Sequence, residues 1–397
     1  MNRSCSLADF RAEKQSKVDK KKKKLSRKKF IQQLTLGGLG VGLGSCILGD
    51  SAPQPVTNAK NSGETPLYRW RMVTTWPPDF PILGEAATAY AELVNKMSGG
   101  RIEIKVYGAG ELVPALEAFD TVRQNTAQVG CGAPYYWAGK SPATQLFSAV
   151  PFGMNAQQVN SWLLGGGGYE LWKEVYADFG LVPIPGGNTG IQMGGWFNKE
   201  IDTVSDLKGL KMRIPGLGGA VIERAGGAAV LVAGSEIYTS LERGVIDATE
   251  WIGPYHDYRM GFSNIAKYYY YPGWHEPGSQ LEFFINKKSF EQLPSDLQQI
   301  CISAGLALNS RVLAQCETQN AMAMRQIQAE GSVDIRPFPT PVLESLRNHS
   351  KDVLSKLRES DALTKKIFDA YTDFQKKIGP WNQVSENAYV ERLFHLK

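Results

Sequence analysis

From residue 68 onward the chain carries two hydrophobic periods in alternation. "YRWRMVTTW" (68–76) is dense in aromatic and β-branched positions and is closed by prolines, which predicts a strand. Ala87, Tyr90, Val94 and Met97 then fall on one helical face, and Ser98-Gly99-Gly100 closes that helix. Ile102, Ile104 and Val106 alternate with polar residues, as in a half-buried strand. A second helix is expected over about 114–126, and "AQVGCGAPYYW" (127–137) reads as a strand running into a loop. This β-α-β-α-β rhythm predicts a largely parallel sheet with helices on its faces, an α/β fold.

The rhythm then repeats. Residues 155–179 have helical spacing interrupted by four glycines at 165–168. "LVPIPGGNTGIQMGGWFN" (181–198) predicts strand, loop and strand, and "TVSDLKGLKMRIPG" (203–216) a turn into another strand. A helix, the short strand "AAVLVA" (228–233), a helix at 234–243 and "IDATEWIG" (246–253) complete a second α/β unit. "YYYYPGWHEPG" (268–278) is expected to be a loop and "LEFFINK" (281–287) a strand. Leu297, Cys301, Ala304, Leu308, Val312 and Cys316 keep helical spacing through 295–329, with Ser295 the expected N-cap. At about 1.5 Å per residue that helix spans roughly 50 Å, long enough to run along two lobes as a spine. Beyond it, Leu363, Ile367, Tyr371, Phe374 and Ile378 mark an apolar helical face that Gly379-Pro380 is expected to end. Trp381, Val384, Ala388, Tyr389 and Leu393 mark another.

Charge changes the picture only at the N-terminus. Residues 1–45 hold twelve Lys or Arg against three Asp or Glu, whereas the rest of the chain holds 32 basic and 36 acidic side chains. The formal charge of +5 therefore gives the folded body no case for nucleic-acid binding. "KKKKLSRKKF" (21–30) followed by the Gly-rich, modestly apolar 31–48 reads as an export signal. "SRKKFI" resembles a twin-arginine motif with Lys28 in place of the second arginine, and "LGSC" (43–46) resembles a lipobox that would lipidate Cys46. An ordinary signal cut nearby is the plainer reading, so tethered and free periplasmic forms both stand. Residues 46–66 are rich in Pro, Ser and Asn and suit a disordered linker. Cys131, Cys301 and Cys316 lack metal spacing. Fifteen helical residues hold the last two roughly 22 Å apart, beyond disulfide reach.

Much chemistry is unsupported. His256, His275, His349 and His395 form no zinc motif, no G-x-S-x-G elbow occurs, and the four glycines lack the Lys-Ser/Thr pair of a phosphate loop. His275-Glu276 could be an acid/base pair, but no nucleophile is signalled. The positive signals concern binding. Arg213 stands at a strand end before Pro215-Gly216, ordinarily a surface site but also one where a guanidinium can grip a carboxylate. Gln192 lies between Gly190 and Gly194, where backbone can come close to a ligand. Glu250 and Glu276 offer hard anionic oxygens; with the Gln192 amide and a main-chain carbonyl they make an all-oxygen shell suited to Na⁺ or Ca²⁺.

Residues from about 67 to the C-terminus resemble the extracytoplasmic solute receptors of tripartite ATP-independent periplasmic (TRAP) transporters, in the branch that binds monocarboxylate 2-oxo acids such as pyruvate. "AGELVPALEAFD" (109–120), "GGNTGIQMGGWF" (186–197), "DLKGLKMRIPG" (206–216), "LERGVIDATEWIGPY" (241–255) and "YYYYPGWHEPG" carry the resemblance. It implies two α/β lobes joined by crossing strands and closing on ligand. On that reading 67–187 and 252–290 form lobe I, 188–251 and 330–362 form lobe II, 291–329 is the spine, and 363–397 are C-terminal helices through which such receptors can form homodimers. It also implies that Arg213 pairs with the substrate carboxylate. A cation, Na⁺ or Ca²⁺, would be held by Gln192, Glu250, Glu276 and the main-chain carbonyl of Trp251. Asn188, Tyr135 and Tyr136 fall where the family closes its pocket. His275 departs from the second aromatic expected after Trp274. The implied function is non-enzymatic delivery of a 2-oxo acid to separate membrane subunits. A receptor for 2-hydroxy acids such as lactate is the nearest alternative. A periplasmic metal-dependent lyase or hydrolase using His275 and Glu276 is the rival from another class.

Overall fold

The computed structural model describes residues 68–392 apart from residue 78, so the signal, Cys46, the 46–66 linker and Leu393 lie outside the described residues. Eleven strands form two sheets among these residues. The first contains β1 (Tyr68–Thr74), β2 (Ile102–Tyr107), β3 (Val129–Gly132), β4 (Leu181–Asn188) and β10 (Gln280–Asn286), in the order β2-β1-β3-β10-β4. The first three are parallel; β10 runs antiparallel between β3 and β4. The second contains β5 (Gly195–Phe197), β6 (Lys211–Arg213), β7 (Ala228–Val230), β8 (Ala248–Thr249), β9 (Tyr268–Tyr271) and β11 (Asp334–Pro337), in the order β11-β9-β5-β8-β6-β7. This is the two-lobed α/β architecture, one sheet to a lobe.

One boundary moves. The tyrosine run expected to be a loop within 252–290 of lobe I is β9, and it pairs antiparallel with β5 and parallel with β11 in the second sheet. Its residues alternate sides: Trp196 stacks on Tyr269 at 4.0 Å and Phe338 stacks on Tyr270 at 4.7 Å. The chain therefore passes from the first sheet to the second between β4 and β5, returns to the first between β9 and β10, and enters the second again at β11.

The spine helix runs Ser295–Glu330 with Pro294 as its cap, and no side chain caps its first turn. The expected N-cap, Ser295, is instead the first helical residue, because Pro294 supplies the extended φ and ψ that a cap needs. Leu297, Cys301, Ala304, Leu308, Val312, Cys316, Ala323 and Ile327 are its buried face. Gly305 lets the helix approach β4 closely: a Cβ there would lie 2.3 Å from Ile184. The free thiols of Cys301 and Cys316 are buried, and burial pushes both up to about 12, so they are inert.

The helix Ala362–Val384 continues through Pro380 rather than ending at Gly379-Pro380. Proline removes only its own N–H from the ladder, and so close to the helix end that loss is small. Ile367 and Tyr371 dock on lobe I, where Tyr371 meets Trp162 edge-on at 5.2 Å and accepts the Met154 N–H at 2.9 Å. Beyond the docked turns, Trp381, Val384, Tyr389 and Val390 are more than half exposed. Among the described residues no helix is long and apolar enough to cross a membrane.

Candidate functional site

β6 and β8 are parallel neighbours with Arg213 paired to Thr249, so the residue after β8, Glu250, emerges beside Arg213 at the carboxyl ends of both strands. That edge is where open α/β sheets bind ligands. The Glu250 N–H donates to the Arg213 carbonyl at 3.2 Å, and Arg213 Nη1 donates to the Glu250 carbonyl at 3.3 Å and to its carboxylate. Both side chains are almost completely buried. Burial works to lower the arginine's pKa, but Glu250, Tyr136, Tyr135 and Glu276 together outweigh it, and the guanidinium stays raised and charged. Its Nε has no partner.

The other half of the site comes from two turns pinned to each other. Gly273 N–H donates to the Gln192 carbonyl at 2.9 Å, and Gln192 N–H donates to the Glu276 carbonyl at 3.2 Å. Only glycine fits at 273, since a Cβ would stand 2.3 Å from that Gln192 oxygen. Gln192 Nε2 donates to Glu276 Oε2 at 2.7 Å and to Thr189 Oγ1 at 3.2 Å, leaving Gln192 Oε1 buried without a partner. Burial, reinforced by Glu250, raises the Glu276 carboxyl well above its usual range.

Glu250, His275 and Glu276 converge: one ligand atom from each lies within 4.8 Å of the other two. His275 Nε2 is 3.4 Å from Glu250 Oε2. No sequence spacing announces this trio, because Glu250 and His275 follow different strands, β8 and β9, which only the second sheet brings together.

Trp251 follows Glu250 and forms the wall. Its ring lies 5.1 Å from the Arg213 guanidinium carbon and meets Phe80 edge-on at 5.9 Å. Gly234 permits this, since a Cβ there would be 2.5 Å from the ring. Asp257 fixes the segment by accepting the Ile252 and Gly253 N–H groups at 3.2 and 3.1 Å, with Trp196 Nε1 and the Tyr269 hydroxyl on its other oxygen. Between the lobes a slot of about 20 Å³ remains. Thr75, Trp76 and Tyr136 line it from lobe I, and Arg213, Leu231 and Trp251 from lobe II, so the cleft is closed. Thr75 carries a buried, unpartnered Oγ1 into the region, and nothing in its sequence context signals that.

Tyr135 and Tyr136 sit in a 3₁₀ turn, half-buried, with rings edge-to-face at 4.8 Å. Burial raises both phenols, and Glu276 raises that of Tyr135 further. Tyr135 reaches across to Gly216 of the other lobe. Asn188 is fully buried, but its carboxamide accepts the Gly190 N–H at 3.0 Å and approaches Gln280 at 3.5 Å, so it shapes the turn leading to Gln192.

Residues 72–361 match the family model described as bacterial extracellular solute-binding protein, family 7 (DctP). The chain is 42% identical over 339 residues to a monocarboxylate 2-oxoacid-binding periplasmic protein of Nostoc sp., covering 85% of this chain and 92% of that one. A TRAP periplasmic solute-binding protein of Pseudoalteromonas atlantica, solved with bound sodium and pyruvate, is 43% identical with a TM-score of 0.80, covering 82% of this chain and 99% of that chain. A TRAP solute-binding protein of Colwellia psychrerythraea, solved with calcium and pyruvate, is 42% identical with a TM-score of 0.80 over the same shares of the two chains.

Proposed function

Because the chain belongs to the bacterial extracellular solute-binding protein family 7, DctP, we propose that it is the extracytoplasmic receptor of a TRAP transport system for monocarboxylate 2-oxo acids such as pyruvate. It works with integral membrane TRAP subunits, to which it hands its ligand. The observation that carries this reading is the buried charge set: one guanidinium facing two carboxylates, all at most 3% exposed, in a closed cleft. A charge assembled there at such desolvation cost suits a ligand that carries one carboxylate and arrives with a cation.

The residues fit a hard cation. Glu250 and Glu276 supply anionic oxygens, Gln192 Oε1 is a buried acceptor without a partner, and the Trp251 carbonyl is the fourth group proposed. Na⁺ or Ca²⁺ bound there would neutralise the paired carboxylates and accept oxygens of the ligand. Arg213 would take the ligand carboxylate through a charge-assisted pair, exchanging part of its contact with Glu250. Tyr135, Tyr136 and Trp251 would wall the ligand, and Asn188 would hold the Gln192 turn in place.

We assign no turnover to this site. Prolonged incubation with 2-oxo acids that leaves them chemically unchanged supports the receptor; sustained product formation contradicts it. A melting screen with pyruvate, longer 2-oxo acids, lactate and dicarboxylates tests the ligand class, since a ligand of the native state raises the melting temperature. A lactate shift larger than that of every 2-oxo acid would favour the 2-hydroxy acid reading. Export through a Tat-like signal and a lipid on Cys46 belong to this proposal too, as does a homodimer formed through the exposed C-terminal stripe of Trp381, Val384 and Tyr389.

A further inference from the structure

Phe152 stands at φ 55°, in the left-handed region where a bulky side chain is strained. That turn of the backbone sends its ring out of its own lobe. Val150 and Met154, two residues to either side, belong to the core of lobe I, whereas Phe152 packs against the core that holds Phe197, Tyr270 and Trp274 in lobe II. The strained segment is held on one side by Ser350 Oγ, which donates to the Pro151 carbonyl at 3.4 Å, and by the Tyr371 hydroxyl, which accepts the Met154 N–H at 2.9 Å. On the other side, Phe152 N–H donates to the Trp274 carbonyl at 2.8 Å and the two rings stack at 5.7 Å. The Arg347 guanidinium carbon lies 4.9 Å from the Phe152 ring and completes the clamp.

We propose that Phe152 is a positioning residue for the ligand site, acting through Trp274 on the turn that presents Glu276 and fixes Gln192. The inference rests on the reading of that turn as part of the ligand site proposed above. Trp274 is buried, its N–H donates to the Pro272 carbonyl at 2.9 Å, and the Glu276 N–H donates to the Gly273 carbonyl at 3.2 Å, so the turn is closed on itself and moves as a unit. A unit of that kind needs an external support to fix its placement, and the Phe152 contact supplies one from the opposite lobe. Beside the stacked pair lies an open pocket of about 410 Å³, bordered by Ile191, Leu343 and Arg347 as well as the two rings. Loss of the Phe152 ring would therefore enlarge existing space instead of a sealed core, and the turn would gain room to shift. A strained residue persists only where its surroundings over-determine it, and here those surroundings join the two lobes behind the ligand site.

The test separates affinity from stability in the mature protein, by calorimetric titration of pyruvate with Ca²⁺ present and by thermal melting. Phe152→Ala removes the ring and keeps the strain; Phe152→Gly removes both; Phe152→Tyr keeps the stack. Phe152→Ala should lower pyruvate affinity by about tenfold, the scale of losing a group that orients a ligating residue. Phe152→Gly should lose the same affinity yet melt at a higher temperature than Phe152→Ala, because glycine takes the left-handed conformation without strain. It also carries the test if the alanine variant does not fold cooperatively. Phe152→Tyr should bind as wild type does. A residue with a merely structural role would shift the melting temperature and leave the affinity of the folded protein alone. Wild-type affinity in both the Ala and Gly variants therefore overturns the inference and leaves the ligand site standing. Absence of pyruvate binding by the wild type overturns the ligand reading itself, and the inference with it.

Discussion

Arg213 and Glu250 form an ion pair that is almost wholly buried, and it is built by the parallel pairing of β6 and β8, two of the shortest strands in the fold. A pair so deeply buried is a poor source of stability, because desolvation offsets most of its attraction. Its position at the strand ends makes it a switchable contact: either partner can be released to a ligand or a cation. Replacing Arg213 by Ala should lower pyruvate affinity by roughly two to three decades, the cost of truncating one member of a hydrogen-bonded charge pair. Arg213→Lys keeps the charge but loses the fork and should fall between. Calorimetry on variants whose melting curves stay cooperative checks this; affinity near wild type would remove Arg213 from the ligand site.

Glu250→Gln should weaken ligand and cation together. Each supplies part of the other's surroundings, and coupling between two bound species is reciprocal. A loss of about tenfold or more in both affinities is expected. A variant that loses one affinity while keeping the other intact would contradict a shared shell.

Much of the fold was legible because hydrophobic period reports burial directly. The spine helix was marked by six apolar positions from Leu297 to Cys316, all of them buried. Arg213, Glu250, Gln192 and Glu276 were legible from strand-end position, glycine-flanked turns and motif resemblance. What local pattern could not supply was partnership across lobes. Tyr268–Tyr271 has strong strand propensity, but the Pro272-Gly273 pair that follows argued for a loop, and only β5 and β11 on either side settle it as a strand. His275 entered the metal-capable cluster for the same reason: its neighbour Glu250 is 25 residues away and on another strand's end. Pro380 misled in the opposite direction, since a helix can absorb one lost hydrogen bond near its end.

Gly234→Ala should impair binding without touching the ligand. The new methyl would press on the Trp251 ring, which is held on its other sides by Phe80 and Arg213. Overpacking of about 1–3 kcal/mol that is relieved by displacing the ring should lower pyruvate affinity by about tenfold. Tryptophan fluorescence and calorimetry report the two effects together; wild-type affinity would show that the ring's placement does not matter to the ligand.

Glu282 sets a pH dependence away from the site. Trp137 Nε1 and the Tyr176 hydroxyl both donate to its Oε1, at 2.7 and 2.9 Å, while Oε2 has no partner. Burial pushes this carboxyl from 4.5 up to about 8. Between those values the folded protein keeps a proton that the unfolded chain releases. The stability this group contributes is therefore full below pH 4.5 and is lost as pH rises toward 8. Glu282→Gln mimics the protonated acid and should remove up to about 1.4 kcal/mol per pH unit from the slope of unfolding free energy between pH 5 and 8. Denaturant unfolding across that range checks it; identical slopes in both proteins would show that Glu282 is ionised when folded.

The C-terminal stripe gives an assembly prediction. With Trp381, Val384, Tyr389 and Val390 more than half exposed, a second copy is the expected cover, in an isologous interface. Light scattering should give the mass of two chains at micromolar concentration, and truncation from Gly379 should give monomers that still bind ligand. A mass of one chain for the intact protein would rule the dimer out.

The most direct test of the cation-assisted carboxylate site is calorimetric titration of pyruvate into protein exhaustively exchanged out of Na⁺ and all divalent ions, repeated with Na⁺ and with Ca²⁺ restored. The expected result is weak or undetectable binding without cation and recovery of tight binding with either ion. Equal affinity in all three conditions would contradict the site described here.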